Sequence, residues 1–251
     1  MASATVTMER PRTTAQRHRL LTVIGALIAA TLIAGGAFNL LELAARHEYA
    51  VRSSYAGVLS LKVDASGDVR LTAAPAGTRL TVVVHVAEAL ERPRRDATLS
   101  RAGELHLTEG CPFALSIACS VSYDIALPSG IAVNVNSGAG DITAMGLTTT
   151  ASVSLRSGTG DIEATKISAP RVRLDSGAGD IDAQLTMAAQ LLESSSGDGN
   201  ITLTVPNVPY AVHASSSTGT VSDKGMRIDA ISSRGIDASS AAGNVTIRPA
   251  H

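Results

Sequence analysis

Aromatic side chains are almost missing from this 251-residue chain: it has no Trp, two Phe and four Tyr. Any interior must be built from Val, Ile, Leu and Ala, which suit narrow, regular layers where rings would not fit every level. The same shortage argues against carbohydrate binding by ring stacking. Lysine is scarce, with three (Lys62, Lys166 and Lys224), and nothing beyond the N-terminus resembles a phosphate-binding surface, so nucleic acid is not expected as a partner. Cysteine is limited to Cys111 and Cys119, with no CxxC and no nearby histidine pair, so a zinc site lacks its ligands. The six histidines (His18, His47, His85, His106, His213, His251) show no ligand spacing and read as ordinary surface or strand residues. No cofactor, metal or catalytic residue is expected.

Charge is missing from one long stretch. Leu20 to Leu41 is 22 residues without a charged side chain, and a helix of that length spans about 30 Å, the thickness of a bilayer's hydrocarbon core. Arg10, Arg12, Arg17 and Arg19 precede it, with Glu9 as the one acid. The positive-inside rule then holds the N-terminus in the cytoplasm and sends the rest outward, as a single-pass protein of the cell membrane. A cleavable signal peptide processed near Gly35-Gly36-Ala37 is the rival. The retained anchor is preferred because the apolar stretch exceeds an h-region of about 7–15 residues. The remainder, residues 42–251, carries a mildly acidic net charge of −4. Export also suits the cysteines. They flank the short loop CPFALSIAC and are expected to form a disulfide in an oxidising compartment, stabilising by about 2–3 kcal/mol in the chain-entropy model.

Glycine, by contrast, is plentiful at 22 residues. From about residue 130 it recurs in units such as VNVNSGAGDITAM, VSLRSGTGDIEAT and VRLDSGAGDIDAQ. Aligned on Ile142, Ile162, Ile181, Ile201, Val221 and Val245, the units are spaced by 20, 19, 20, 20 and 24 residues. Nine residues before each stands Val133, Val153, Val172, Leu192, Val212 or Ile236. Seven before stands Val135, Leu155, Leu174, Ser194, Ala214 or Ala238. Two after stands Ala144, Ala164, Ala183, Leu203, Asp223 or Ile247. Apart from Ser194 and Asp223 these columns are aliphatic or small, and the residues between them are mostly polar. Each unit therefore reads as a strand with one face inward, a sharp turn, and a second such strand. One unit cannot bury its own face, but stacked units can, which predicts an all-β, single-stranded β-helix or β-solenoid of roughly twenty-residue repeats.

Gly140, Gly160, Gly179, Gly199, Gly219 and Gly243 share one turn column, where positive φ at a tight corner is the expected reason for glycine. Asp141, Asp161, Asp180, Asn200 and Asn244 follow them, and short Asx side chains can bond nearby amides and stack as a ladder between rungs. Calcium-binding Gly/Asp repeats have a nine-residue period, unlike this one, and Thr220 breaks the acidic column, so the ladder reads as structural. The turns are not dinucleotide fingerprints, since they lack the strand-to-helix setting. Nor are they catalytic serine motifs, since no His recurs in register.

The chain is thus divided into a basic cytoplasmic tail (1–19), a transmembrane signal anchor (20–41), a stalk (42–55), an N-terminal β region with the disulfide loop (56–130) and the solenoid repeats (131–251). Within 56–130, Leu59, Leu61, Val63, Val69 and Leu71 around Ser66-Gly67-Asp68 resemble a divergent first rung with a shorter turn. Alternation at Leu80, Val82, Val84 and Val86 marks a longer strand that would cap the column's open end.

With the basic N-terminus and membrane helix go a YAGV start, an SGDV turn, the Cys-x7-Cys pair before LPSG, and the SGxGDI units. Together they resemble a bacterial family of adhesin-like surface proteins of unknown function, over about residues 50–249. The resemblance implies a β-solenoid in a cell-surface setting and supplies no catalytic residues. The last two units depart from its pattern, since STGT and AAGN lose the acidic residue or the first glycine.

Three functions follow as expectations. The first is a non-catalytic surface binding or structural module with an envelope-protein or cell-wall partner. The second is an envelope sensory or regulatory component touching a cytoplasmic partner through residues 1–19. The third is a polysaccharide-acting β-helix enzyme, for which Asp175 and Glu193, or Arg156, Arg171 and Arg173, are the candidate groups on adjacent rungs.

Overall fold

The computed structural model describes residues 24–26, 28–33, 35–36, 47–75, 77–88, 94–110 and 120–250. The chain divides into two units, Met1–Arg46 and His47–His251. In the first, the described residues are helical. The expected 20–41 span lies partly outside them, and among the described residues no helix is long and apolar enough to cross a membrane.

The second unit is all β. It opens with β1 (His47–Tyr55), which pairs antiparallel with β4 (Leu80–Glu88) from His47↔Glu88 to Tyr55↔Leu80. Of the stalk expected over 42–55, residues 47–55 are this strand, whose Tyr and Val residues favour extended backbone and which β4 pairs, and 42–46 lie outside the described residues. The first coil is β2 (Ser60–Ala65) with β3 (Val69–Ala73). After β4 and β5 (Arg94–Leu99), the second coil is β6 (Glu104–Gly110) with β7 (Ser120–Leu127). Then follow β8 (Ala132–Ser137) and β9 (Ile142–Met145), β10 (Ser152–Ser157) and β11 (Ile162–Ile167), and β12 (Arg171–Ala178) and β13 (Ile181–Leu185). The last three coils are β14 (Leu191–Asp198) and β15 (Ile201–Val205), β16 (Ala211–Ser216) and β17 (Val221–Ser222), and β18 (Gly235–Ala242) and β19 (Val245–Pro249).

Each coil gives one strand to each of two sheets. One is ten-stranded, in the order β1-β4-β7-β3-β9-β11-β13-β15-β19-β17. The other is nine-stranded, in the order β16-β18-β14-β12-β10-β8-β2-β6-β5. Coil-to-coil pairs are parallel and in register, with Ile142, Ile162, Ile181, Ile201 and Val245 forming one continuous row. Parallel pairing follows because each strand meets its equivalent one turn later.

The coils do not stack in sequence order. At one end the first coil lies between the second and third, and at the other the eighth lies between the sixth and seventh. The 24-residue spacing before Val245 marks that insertion: the chain runs past the seventh coil through 223–234 and returns one level inside it. Val221 is left at the column's end, 43% exposed, while its counterparts are buried. At the opposite end β1, β4 and β5 add antiparallel strands that close the column.

One core cluster runs through all coils, from Leu61, Val63, Leu105 and Leu107 to Ile236 and Ile247, so the expected boundary at 130/131 does not divide it. The two inward columns beside the corner are matched in size. Leu155 and Leu174 go with Ala164 and Ala183, whereas Ser194 and Ala238 go with Leu203 and Ile247, and all eight are buried. Large on one sheet with small on the other keeps the interior near constant width.

Candidate functional site

Two surfaces hold the predicted residues: the corner where each coil turns between sheets, and the outer face of the nine-stranded sheet. At the corner the Asx side chains form one unbroken chain of hydrogen bonds along the column. The amide of Asp141 donates to Asp68 Oδ1 (3.0 Å), that of Asp161 to Asp141 (2.9 Å), and that of Asp180 to Asp161 (2.7 Å). Asn200 donates to Asp180 (2.7 Å), Asn244 to Asn200 (3.0 Å), and Thr220 to Asn244 (2.9 Å). The ladder follows spatial rather than sequence order, and Thr220 is its final member. Its carboxylates accept amide protons from the next coil, a structural task. Among the described residues no cluster of three or more His, Cys, Asp or Glu could hold a metal ion.

A second ladder, of serines, runs beside the first. Ser137, Ser157, Ser176, Ser196 and Ser240 are buried inside the corner. The hydroxyl of Ser157 donates to Gly140 O (2.9 Å), that of Ser176 to Gly160 O (2.9 Å) and that of Ser196 to Gly179 O (2.9 Å). In turn Gly160 N–H donates to Ser157 Oγ (2.8 Å). The signal was present: the serine recurs five residues before every aligned aliphatic. Positive φ is not the reason for the turn glycines, since Gly243 alone among Gly140, Gly160, Gly179, Gly199, Gly219 and Gly243 has it. A Cβ on Gly140, Gly160, Gly179 or Gly199 would collide with backbone of the adjacent coil. Stacking distance, rather than conformation, demands glycine there.

The N-terminal end of the corner is closed by Glu109. Its Oε1 accepts from the Ser66 amide (2.6 Å) and hydroxyl (2.6 Å), while Oε2 is buried with no partner among the described residues. Burial raises the pKa of this carboxyl, and the Ser66 and Gly67 donors offset that only in part.

On the outer face, strand register lines polar residues into rows. Arg156 Nε donates to Asp175 Oδ2 (3.0 Å), Arg173 Nε to the same oxygen (2.7 Å), and Arg173 Nη1 to Glu193 Oε2 (3.1 Å). Of the candidate charged groups the fold therefore joins Arg156, Asp175, Arg173 and Glu193, and leaves Arg171 exposed outside the chain of pairs. Glu193 stands directly across from Asp237 on β18, and His213 lies 3.3 Å from Asp237. Arg173, Glu193, Ser195, His213, Asp237 and Ser239 line a shallow groove of about 670 Å³. Towards the other end His106 Nε2 is 2.7 Å from Asp64, and Asn136 donates to the same carboxylate (2.8 Å). Burial works against ionisation of Asp64, but the bonds from His106, Asn136 and Lys62 outweigh it and hold its pKa below the ordinary value. On the ten-stranded sheet His85 pairs likewise with Asp124 at 2.8 Å. The histidines read as ordinary strand residues thus include three that bridge to an aspartate on a neighbouring strand.

Residues 64–248 match the Toastrack domain, DUF4097, a domain of unknown function. The chain belongs to the Toastrack family. Among solved structures, a candidate cell adhesion protein from Clostridium sporogenes is similar over 82% of this chain and 100% of its own, at 13% identity and a TM-score of 0.46. A candidate adhesin from Bacteroides fragilis is similar over 81% of this chain and 97% of its own, at 14% identity and a TM-score of 0.45. No curated protein matches. The expected Cys111–Cys119 disulfide lies outside the described residues of this Toastrack chain.

Proposed function

We propose that this Toastrack protein is a membrane-anchored, outward-facing surface module of adhesin type that binds an envelope or cell-wall partner without catalysis. In this reading residues 20–41 cross the membrane, the Arg-rich tail stays inside, and the column is displayed outside. The observation that carries the binding role is the outer face of the nine-stranded sheet. There, rigid parallel strands hold donors and acceptors at about 4.8 Å intervals, and the charges of Arg156, Asp175, Arg173 and Glu193 are fixed by one another. A pre-ordered polar face loses little entropy on contact, which suits broad recognition of a polar surface. The carboxylates a glycan-cleaving enzyme would use are engaged by arginine, which favours recognition over acid–base chemistry.

The test is capture of cell-wall material and envelope proteins from intact cells by crosslinking through the full-length chain, compared with Arg173→Ala/Glu193→Ala. Loss of specific partners in the double variant, with thermal stability kept, is the expected result. Equal capture by both chains, or turnover of a glycan panel abolished by the substitutions, would overturn the reading.

A further inference from the structure

A second groove, of about 650 Å³, runs along the opposite edge of the column, where each coil returns from one sheet to the other. Its walls come from successive return turns: Thr148 and Thr150 after β9, Pro170 after β11, Met187 and Gln190 after β13, and Arg234 before β18. These turns are tied to one another by Thr149 N–H to Ser168 O (2.9 Å), Gln190 N–H to Pro170 O (2.8 Å) and Gly235 N–H to Gln190 O (2.9 Å). The groove is therefore a rigid feature spanning several coils. Its lining is mixed. Met187 is 39% exposed here, and Pro170 adds further apolar surface beside the hydroxyls of Thr148 and Thr150.

Arg234 closes one end. It is half-buried, and among the described residues no carboxylate pairs with it. Tyr210 is a buried phenol whose hydroxyl has no partner among the described residues, and burial raises its pKa while the Arg234 charge opposes the rise. A half-buried guanidinium with no carboxylate partner keeps its donors open to a ligand, and its planar fork suits an oxyanion. The volume falls in the range of sites that hold small ligands. We propose that this groove binds an anionic amphiphile, with the aliphatic chain along Met187 and Pro170 and the carboxylate or phosphate on Arg234. This site is on a different surface from the polar sheet face and does not depend on the binding role assigned to that face.

The full-length chain in phosphatidylcholine nanodiscs, labelled with methyl-13C methionine, reports binding at Met187 directly. Octanoate and octyl phosphate are expected to shift the Met187 methyl resonance saturably, while octanol does not. Arg234→Gln should weaken binding by about tenfold or more, and Arg234→Lys should retain part of it. Met187→Leu assigns the resonance. Replacing the nanodisc lipid with phosphatidylglycerol distinguishes sources: an Arg234-dependent shift without added octanoate would name membrane lipid as the supplier of the same chemistry. Equal response to octanol, an unchanged midpoint in Arg234→Gln, or no shift with any anionic amphiphile would overturn the proposal.

Discussion

Single residues set how closely the coils can approach. A Cβ at Gly158, Gly177 or Gly197 would run into the carbonyl oxygen of the glycine one coil below. Gly177→Ala is therefore expected to force neighbouring coils apart and to cost about 1–3 kcal/mol in denaturant unfolding, whereas Gly110→Ala, with open space around it, should be neutral. Lys166 is the opposite case. It has a φ of 56°, at a bulge in β11, where the coil below has Gly146 with a φ of 72°. Lys166→Gly should stabilise the protein by up to about 1 kcal/mol, because the left-handed penalty for a side chain exceeds the added entropy cost of glycine. Glu109 supplies a pH signature. Its carboxyl is raised by burial, so the folded state binds its proton more tightly than the unfolded state does. Its contribution is then most favourable below the unfolded value and is lost as pH rises through the folded one. Glu109→Gln should leave stability similar in acid and give a melting-temperature advantage that grows towards neutral pH. A constant difference across that range would show that Glu109 does not titrate differently on folding.

Strands were the most legible level in the sequence. Apart from the seventh coil, where Asp223 lies beyond β17 and Val212 and Ala214 are half-buried, the nine-back, seven-back and two-after columns, read from spacing alone, are the inward faces of the paired strands, because a two-residue period fixes which side chains share a face. The compensation between the seven-back and two-after columns was also present in the letters, but only the fold makes its meaning plain. Leu203→Ala would place small residues on both sheets at one level and should cost about 2–5 kcal/mol. Ser194→Leu alone would overfill the same level against Leu203. Ser194→Leu/Leu203→Ala restores the arrangement of the neighbouring coil, Leu174 with Ala183, and its unfolding free energy should lie well above the sum of the single effects. It would also remove the buried Ser194 hydroxyl that has no partner among the described residues. Additive effects in that double-mutant cycle would mean that the two columns do not share space.

Coil order belongs to the whole molecule, and it was not legible. Spacing shows that six units exist, but most of them offer their neighbours the same aliphatic row and the same Asx amide acceptor, so local pattern cannot say which neighbour each unit takes. The longer connection at 223–234 was the one hint. The exchanged order has a mechanical consequence at the C-terminal end. The seventh coil, β16 with β17, has its backbone partners in the eighth, through Ala211↔Gly235 to Ser216↔Ser240 and Val221↔Val245. Among the described residues the eighth coil is what pairs with both it and the sixth, the latter through Leu191↔Gly235 and Ile201↔Val245. Damage to the last coil should therefore release the one before it. Ile247 is buried, 1% exposed, in β19, and Ile247→Asn would place an amide in the dry interior. In hydrogen exchange the amides of β16 should then lose protection together with those of β18 and β19, while β12 and β13 keep theirs. A column stacked in sequence order would instead hold β16 against β14, so loosening the last coil would leave β16 protected. Retained protection across Ala211–Ser216 in Ile247→Asn, with β18 and β19 exchanging fast, would refute the exchanged order.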